Sequence, residues 1–195
     1  MTKPPKNLTL SVMAGIYILA QVIIVPALPE LQRIFVSDYS TIQLSIAFFL
    51  LGAAIVNIIA GPLSDRFGRR PIALIFLIIF VFSSLGALFS SNIYSFLFFR
   101  FLQSSSAAGM VIARAIVGDV YSRKEATIMF GYISIIMAIG PLIGPLIGGL
   151  ITENFGSLTI FTFLSVLGFL IFLLAFFDLQ ETNSTKSKSL FSQIK

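Results

Sequence analysis

The chain of 195 residues is 57% hydrophobic and only 11% charged, which is more apolar surface than one soluble core of this size can bury. It contains no cysteine and no histidine, so disulfides, haem and Cys/His zinc sites are excluded and no cofactor is expected. Its net charge of +5 comes from basic residues spread over short loops and a tail. This distribution is typical of residues that orient membrane spans, and nucleic-acid binding is not expected. The composition therefore predicts an all-α integral membrane protein.

Six stretches are long and apolar enough to cross a hydrocarbon core of about 30 Å, which takes about 20 helical residues. We place them at about 8–28, 41–63, 71–89, 93–117, 126–150 and 157–177. Pro26 and Pro29 are expected to close the first stretch, and Ser90 to Asn92 separate the third from the fourth. Residues 1–179 then form one six-helix unit, followed by a polar cytoplasmic tail, 180–195.

The basic residues predict the topology. With the N-terminus inside, Arg33 is the only basic residue in an outer loop, and Arg100 and Arg114 fall within the fourth span. The other ten then face the cytoplasm, as the positive-inside bias requires; they are Lys3, Lys6, Arg66, Arg69, Arg70, Arg123, Lys124, Lys186, Lys188 and Lys195. Both termini are therefore expected to be cytoplasmic.

A charged loop, 61–71, joins the second and third spans. Asp65 and Arg69 are four residues apart and would meet on one helical turn, while Gly61 and Gly68 permit close approach and tight turning. A loop that only signals topology would also explain its arginines, but it leaves the glycine and aspartate spacing unexplained. These arginines are Arg66, Arg69 and Arg70.

The loop has a weaker second copy 88 positions later, where 149–156 aligns with 61–68. Two glycines and a phenylalanine match, and Ser/Thr and Asp/Glu agree in kind. The copies follow the second and fifth spans, so they lie on opposite sides of the membrane. This predicts a 3+3 inverted repeat, with chance similarity of two glycine-rich turns as the alternative.

The fourth span carries two cations. Arg100 lies at membrane depth and shares a helix face with Gln103, so the two are expected to line a cavity inside the bundle. The alternative is that Arg100 lies near the outer surface and extends to water. Arg114 and Asp119 lie near the cytoplasmic end, where Asp119 is placed to receive an arginine from the 61–71 loop and to link three helices. Simple helix-end charges are the alternative for this pair.

The fifth span contains glycines and prolines at matching intervals of four residues. The glycines predict a flat face for close helix contact, and the prolines predict a bent or locally loosened helix. A static packing face is the alternative. These residues are Gly140, Pro141, Gly144, Pro145, Gly148 and Gly149.

Together these motifs resemble the major facilitator superfamily, in particular its drug/proton antiporters of the Bcr/CflA type, over about residues 20–180. Segment 61–70 resembles the signature loop between the second and third helices. Segment 100–103 is similar to the fourth-helix motif, and 140–149 matches the fifth-helix antiporter motif.

The resemblance implies the six-helix N-terminal half of a two-half transporter. It implies that Asp65, Arg69 and Asp119 form an inner-gate link, that Arg100 takes part in proton coupling, and that the fifth-helix motif shapes the outward-closed seal. The wider sets taken from the motifs are Gly61, Asp65, Arg66, Gly68, Arg69, Arg70 and Asp119 for the gate, and Arg100, Gln103 and Arg114 for coupling or a cavity.

Three positions depart from the family pattern. Val22 stands where the first helix usually carries an acid, Ser104 replaces a glycine, and no tryptophan follows the fifth helix at 158–160. None of the eight acidic residues falls near the middle of a span, which weighs against proton coupling.

The leading prediction is therefore the N-terminal half of a multidrug efflux transporter in the bacterial inner membrane. It would move small amphipathic compounds outward by alternating access, exchanging them for protons if it is coupled, and would need a second half or a second copy of itself. The alternative is a membrane-embedded remnant or regulatory subunit without transport. An intramembrane enzyme is a weak third possibility, because paired midplane acids, histidine and cysteine are all missing.

Overall fold

A computed structural model describes residues 4–182, and the regular secondary structure in this range consists of helices joined by short turns and loops. Six segments are long and apolar enough to span a membrane, as the sequence predicted. They are span 1 (Asn7–Ile34), span 2 (Tyr39–Phe67), span 3 (Arg69–Leu88), span 4 (Ile93–Val120), span 5 (Arg123–Phe155) and span 6 (Thr159–Asp178). Residues 183–195, and with them most of the proposed tail, lie outside the described range.

Two of the spans are composed of shorter helices. Span 1 contains α1 (Asn7–Val22), a 3-10 turn (Val25–Ala27) and α2 (Leu28–Ile34). Span 4 contains α5 (Ile93–Gln103), a 3-10 turn (Ser104–Ser106) and α6 (Ala107–Val120). The other spans are single helices, which we number in chain order as α3 for span 2, α4 for span 3, α7 for span 5 and α8 for span 6.

The prolines of span 1 do not end it, contrary to the sequence prediction. Pro26 and Pro29 each lie in the first turn of a new helical segment. A proline is tolerated there because its missing N–H would have no intrahelical acceptor, so the helical rod continues to Ile34.

Span 5 is longer than predicted. Ser122 and Glu125 form a capping box that starts α7 at Arg123, because the two side chains accept each other's otherwise free backbone N–H groups. The helix then continues to Phe155 through Pro141 and Pro145 without a break in its helical assignment, so the expected loosening is not seen as an interruption.

The packing of the spans has the symmetry of the predicted inverted repeat. Span 3 packs on span 6, span 1 on span 5, and span 2 on span 4. Exchanging span 1 with 4, 2 with 5 and 3 with 6 leaves this pattern unchanged.

The backbone repeats in the same way. Gly68 and Gly156, which are 88 positions apart, both follow a long helix with positive φ, at 107° and 86°. Each donates its N–H at 3.0 Å to the carbonyl four residues earlier, in Ser64 and Thr152 respectively. Glycine adopts this φ without strain, so it suits both turns.

Spans 1 and 5 meet along the predicted glycine face. A side chain added at Gly140 or Gly144 would press on Ile18 or Val22, and one at Gly148 would overlap the backbone carbonyl oxygen of Ile23. Small residues allow this approach of two backbones, and the close packing substitutes for the hydrophobic effect that lipid cannot supply.

We expect Gly148→Leu to destabilise the bundle by about 1–3 kcal/mol, because overpacking forces the two helices apart. Thermal unfolding of the detergent-purified chain, followed by size-exclusion chromatography, measures this. Gly131→Leu is the matched control, since it lies on the same helix and a Cβ built at Gly131 would meet no atom within 4 Å outside the backbone of that helix. Equal melting temperatures for the two variants would contradict the close contact.

Candidate functional site

The Arg69 side chain joins three spans at one end of the bundle. Its Nε donates to Asp119 Oδ2 of span 4 at 3.0 Å, and its NH1 donates to Ser64 Oγ of span 2 at 2.7 Å. The same guanidinium forms a salt bridge with Asp65, one helical turn away. The structure therefore brings together the three residues of the proposed gate link, and adds Ser64, which the sequence did not single out.

The exposure of the partners decides what kind of link this is. The Arg69 side chain is 11% exposed, but the side chains of Asp65 and Asp119 are 54% and 30% exposed. A charge-assisted bond is stronger than a neutral one, yet water screens a pair with such open acids. The link is thus specific in geometry and modest in energy, a combination suited to a contact that opens and closes.

Glu181, which follows span 6, is a further member that the sequence reasoning missed. Its two carboxylate oxygens accept the backbone N–H groups of Arg69 at 2.9 Å and Arg70 at 3.3 Å. An acid at this place satisfies orphan donors and complements the positive end of the α4 dipole. A side chain at Gly68 would overlap this carboxylate, so Gly68 is needed both for its φ and for its space.

The segment after span 6 also reaches span 4, because Thr182 Oγ1 donates to Asp119 Oδ2 at 3.4 Å. No spacing rule connects residue 181 or 182 to a loop more than a hundred positions earlier. Only the folded packing of span 6 on span 3 brings them there.

The other members of the loop motif make different contacts. Arg70 donates from NH2 to the carbonyl of Phe176 at 2.9 Å and lies 5.4 Å from its ring centroid. Arg66 lies 5.2 Å from the ring of Phe67. A side chain at Gly61 would come within 3.9 Å of Val111, so spans 2 and 4 approach each other at this level.

Arg100 lies in the interior of the bundle with no exposed surface, which excludes the surface alternative. Its NH1 donates to the carbonyl of Ala20 at 3.3 Å and to the side-chain oxygen of Gln103. The guanidinium carbon lies 4.5 Å from the ring centroid of Phe49, at a distance typical of a cation–π contact. Gln103 continues the network by donating to Ser84 Oγ at 2.7 Å.

Gly52, which the sequence reasoning did not single out, and Ser104 also shape this region. A side chain on Gly52 of span 2 would overlap the hydroxyl of Ser104 and approach the carbonyl of Phe101 at 2.7 Å. Ser104, where the family pattern has glycine, directs its hydroxyl to that same carbonyl at 2.6 Å. Spans 2 and 4 therefore meet closely beside Arg100 through the glycine of span 2.

Val22, the position of the family's first-helix acid, packs against Gly144 of span 5. The contact of Arg100 with span 1 is made two residues earlier, through the backbone of Ala20.

Arg114 and Asp119 do not form a pair. Asp119 accepts from Arg69, whereas Arg114 is exposed and donates from NH2 to Met137 Sδ of span 5 at 3.7 Å. The two charged residues at this end of span 4 therefore contact different spans, Asp119 span 3 and Arg114 span 5.

The family model described as Major Facilitator Superfamily matches residues 10–193. Among curated proteins, the chain is 38% identical over 160 residues to an uncharacterized MFS-type transporter, YdgK, of Bacillus subtilis, covering 80% of this chain and 40% of that protein. It is 33% identical to a chloramphenicol resistance protein of Pseudomonas aeruginosa, over 72% of this chain and 34% of that one. It is also 33% identical to the MFS antiporter QDR2 of Candida albicans, over 81% of this chain and 32% of that protein.

Solved structures agree on the fold. A D-xylose-proton symporter superposes with a TM-score of 0.77 at 16% identity, over 90% of this chain and 48% of that one. The human organic anion transporter MFSD10 superposes with a TM-score of 0.71 at 19% identity, over 90% of this chain and 47% of that one. The chain thus spans less than half the length of each of these proteins.

We expect Asp65→Asn and Asp119→Asn each to raise the inner-side reactivity of a cysteine placed at the fully buried Ala60, because each change weakens the hold of Arg69. The natural chain has no cysteine, so labelling by a membrane-impermeant maleimide in inside-out vesicles reports this position alone. Asp38→Asn, the same change at the opposite end of span 2, is the control. Labelling rates equal to that control would contradict a gate link.

Proposed function

Because the chain belongs to the major facilitator superfamily, we propose that it supplies the N-terminal half of a drug efflux transporter working by alternating access. The contact of Arg69 with Asp119, at 3.0 Å, is the observation that carries this proposal. It joins the ends of spans 3 and 4 through a bond that water and a rearrangement can break, which is what a two-state gate needs.

The proposed orientation places this link on the cytoplasmic side. The basic residues of the 61–71 loop then lie inside, in agreement with the positive-inside bias, and the related turn at Gly156 lies outside. A closed Arg69 link holds the inner ends of spans 2, 3 and 4 together, and its opening admits substrate from the cytoplasm of a bacterial cell.

Small amphipathic drugs are the proposed substrates. Similarity to a chloramphenicol resistance protein supports this class. The substrate path would lie between this half and a second six-helix half, supplied by a longer chain, by a separately encoded partner or by another copy.

Proton antiport is the proposed energy source, with Arg100 as the participating residue of this half. Arg100 is buried and contacts spans 1 and 2 from span 4. A change in its contacts during proton transfer would therefore alter how these three spans pack, which supports the proposal. The residues 4–182 carry their acids only near span ends, so the proton-carrying carboxylate of this scheme belongs to the second half.

We expect efflux-deficient bacteria that express the chain to accumulate less chloramphenicol or ethidium than cells with an empty vector, provided that a second half or a self-association completes the path. Asp119→Asn should restore accumulation, while Asp38→Asn, at the opposite end of span 2, should not. Oligomeric mass in detergent from the same membranes shows which partner completes the path.

Unchanged accumulation by a well-inserted chain, with and without a co-expressed C-terminal half, would contradict the proposal. It would favour a membrane subunit without transport of its own.

A further inference from the structure

Resting on this transport function, we propose that Arg114 binds the anionic group of amphipathic substrates, in a groove of span 4 between spans 2 and 5. This assigns a substrate chemistry, an apolar body carrying a carboxylate, sulfonate or phenolate, to a residue that takes no part in the Arg69 link or the Arg100 cluster.

The direction of the Arg114 side chain is the first argument. Its backbone lies six residues before the end of α6, about 9 Å along the helix, but its guanidinium contacts Met137, which is fourteen residues, about 21 Å, into α7. Helical side chains lean toward the N-terminus of their helix. The charge is therefore carried away from the nearby membrane surface and toward the membrane interior, opposite to a cation that extends to water.

The surroundings of Arg114 form the second argument. Its neighbours Ala113, Ile116 and Val117 are fully buried, so only one stripe of this helix is open. Val111 on one side of the stripe faces Gly61 of span 2, and Arg114 itself reaches span 5. Spans 2 and 5 therefore lie on either side of the stripe, which forms the floor of the proposed groove.

One position on this floor is open. Gly118 lies one helical turn from Arg114 on the same face, and a Cβ built there would meet no atom within 4 Å outside the backbone of its own helix. Met110 lies one turn away on the other side, and Met137 contacts the guanidinium. Methionine side chains adapt to varied apolar shapes, so they suit the body of a drug-sized molecule.

The charge balance forms the third argument. Within residues 4–182, Arg114 makes no salt bridge, and its polar contact is the weak acceptor sulfur of Met137 at 3.7 Å. A cation in a membrane segment is costly unless it faces water or an opposite charge. An open groove of a transporter supplies water in the empty state, and an anionic ligand supplies a planar acceptor that guanidinium binds in two places.

Two fluorescent probes separate charge from apolar contact. 1-Anilinonaphthalene-8-sulfonate carries an anionic sulfonate, and N-phenyl-1-naphthylamine has the same apolar body without charge. Each is titrated against the whole chain in phosphatidylcholine nanodiscs, with empty nanodiscs subtracted. The proteins are the natural chain, Arg114→Gln, Arg114→Lys and the control Arg123→Gln, which removes an exposed charge at the start of α7.

We expect Arg114→Gln to weaken sulfonate binding about tenfold, equivalent to about 1.4 kcal/mol, and to leave binding of the uncharged probe unchanged. Arg114→Lys should keep only part of the affinity, because an ammonium group keeps the charge but cannot bind the anion in two places, and Arg123→Gln should keep all of it. Equal losses for the two probes, or sulfonate binding that does not depend on Arg114, would overturn the proposal.

The outcome is separable from that of the proposed function. Binding is measured without transport, so Arg114-dependent sulfonate binding by a chain that moves no drug would overturn only the efflux function. Efflux by a chain whose sulfonate binding is indifferent to Arg114 would overturn only the substrate chemistry.

Discussion

The ionic contact of Arg69 with the carboxylates of spans 2 and 4 is the constraint that decides how four spans meet at one end of the bundle. Gly68 ends α3 with a positive φ and allows α4 to begin at once, so the Arg69 side chain emerges between spans 2 and 4. Its backbone is held at the same time by Glu181 from the end of span 6. Arg69 of span 3 therefore contacts spans 2 and 4 and the segment after span 6, and aligns them at one end of the bundle.

The fold could be predicted from the sequence because membrane insertion imposes two strong rules. Apolar length defines a span, and basic loops define its orientation, so all six spans were identified. The bounds were less accurate where local chemistry overrode hydropathy. Pro26 and Pro29 continue span 1 because each sits in the first turn of a helix, and the capping box at Ser122 starts span 5 before its apolar residues begin.

Only part of the candidate site could be predicted from the sequence. Asp65, Arg69 and Asp119 were identified from helical spacing and common depth, and the structure brings them together. Ser64, Glu181, Ser84 and Gly52 were missed, since their contacts come from helices far apart in the chain. The sequence placed Arg114 and Asp119 at the same end of span 4, and the structure gives them different partners, Met137 and Arg69 respectively.

Span 4 handles its two membrane cations in opposite ways. Arg100 is enclosed by the Ala20 carbonyl, Gln103 and the ring of Phe49, while its Nε and NH2 have no hydrogen-bond partner within residues 4–182. Arg114 lies on an open stripe and depends on what enters the groove. A closed polar core beside an open cationic groove gives this half both a rigid centre and a surface for recognition.

The most direct test of the gate is a double-mutant cycle of Arg69→Gln and Asp119→Asn, read by maleimide labelling of the cysteine at residue 60 in inside-out vesicles. If the two side chains act as one link, the double variant labels little faster than either single variant, with a coupling of about 0.5–3 kcal/mol. Labelling rates whose effects simply add would show that Arg69 and Asp119 act independently, and would contradict the account.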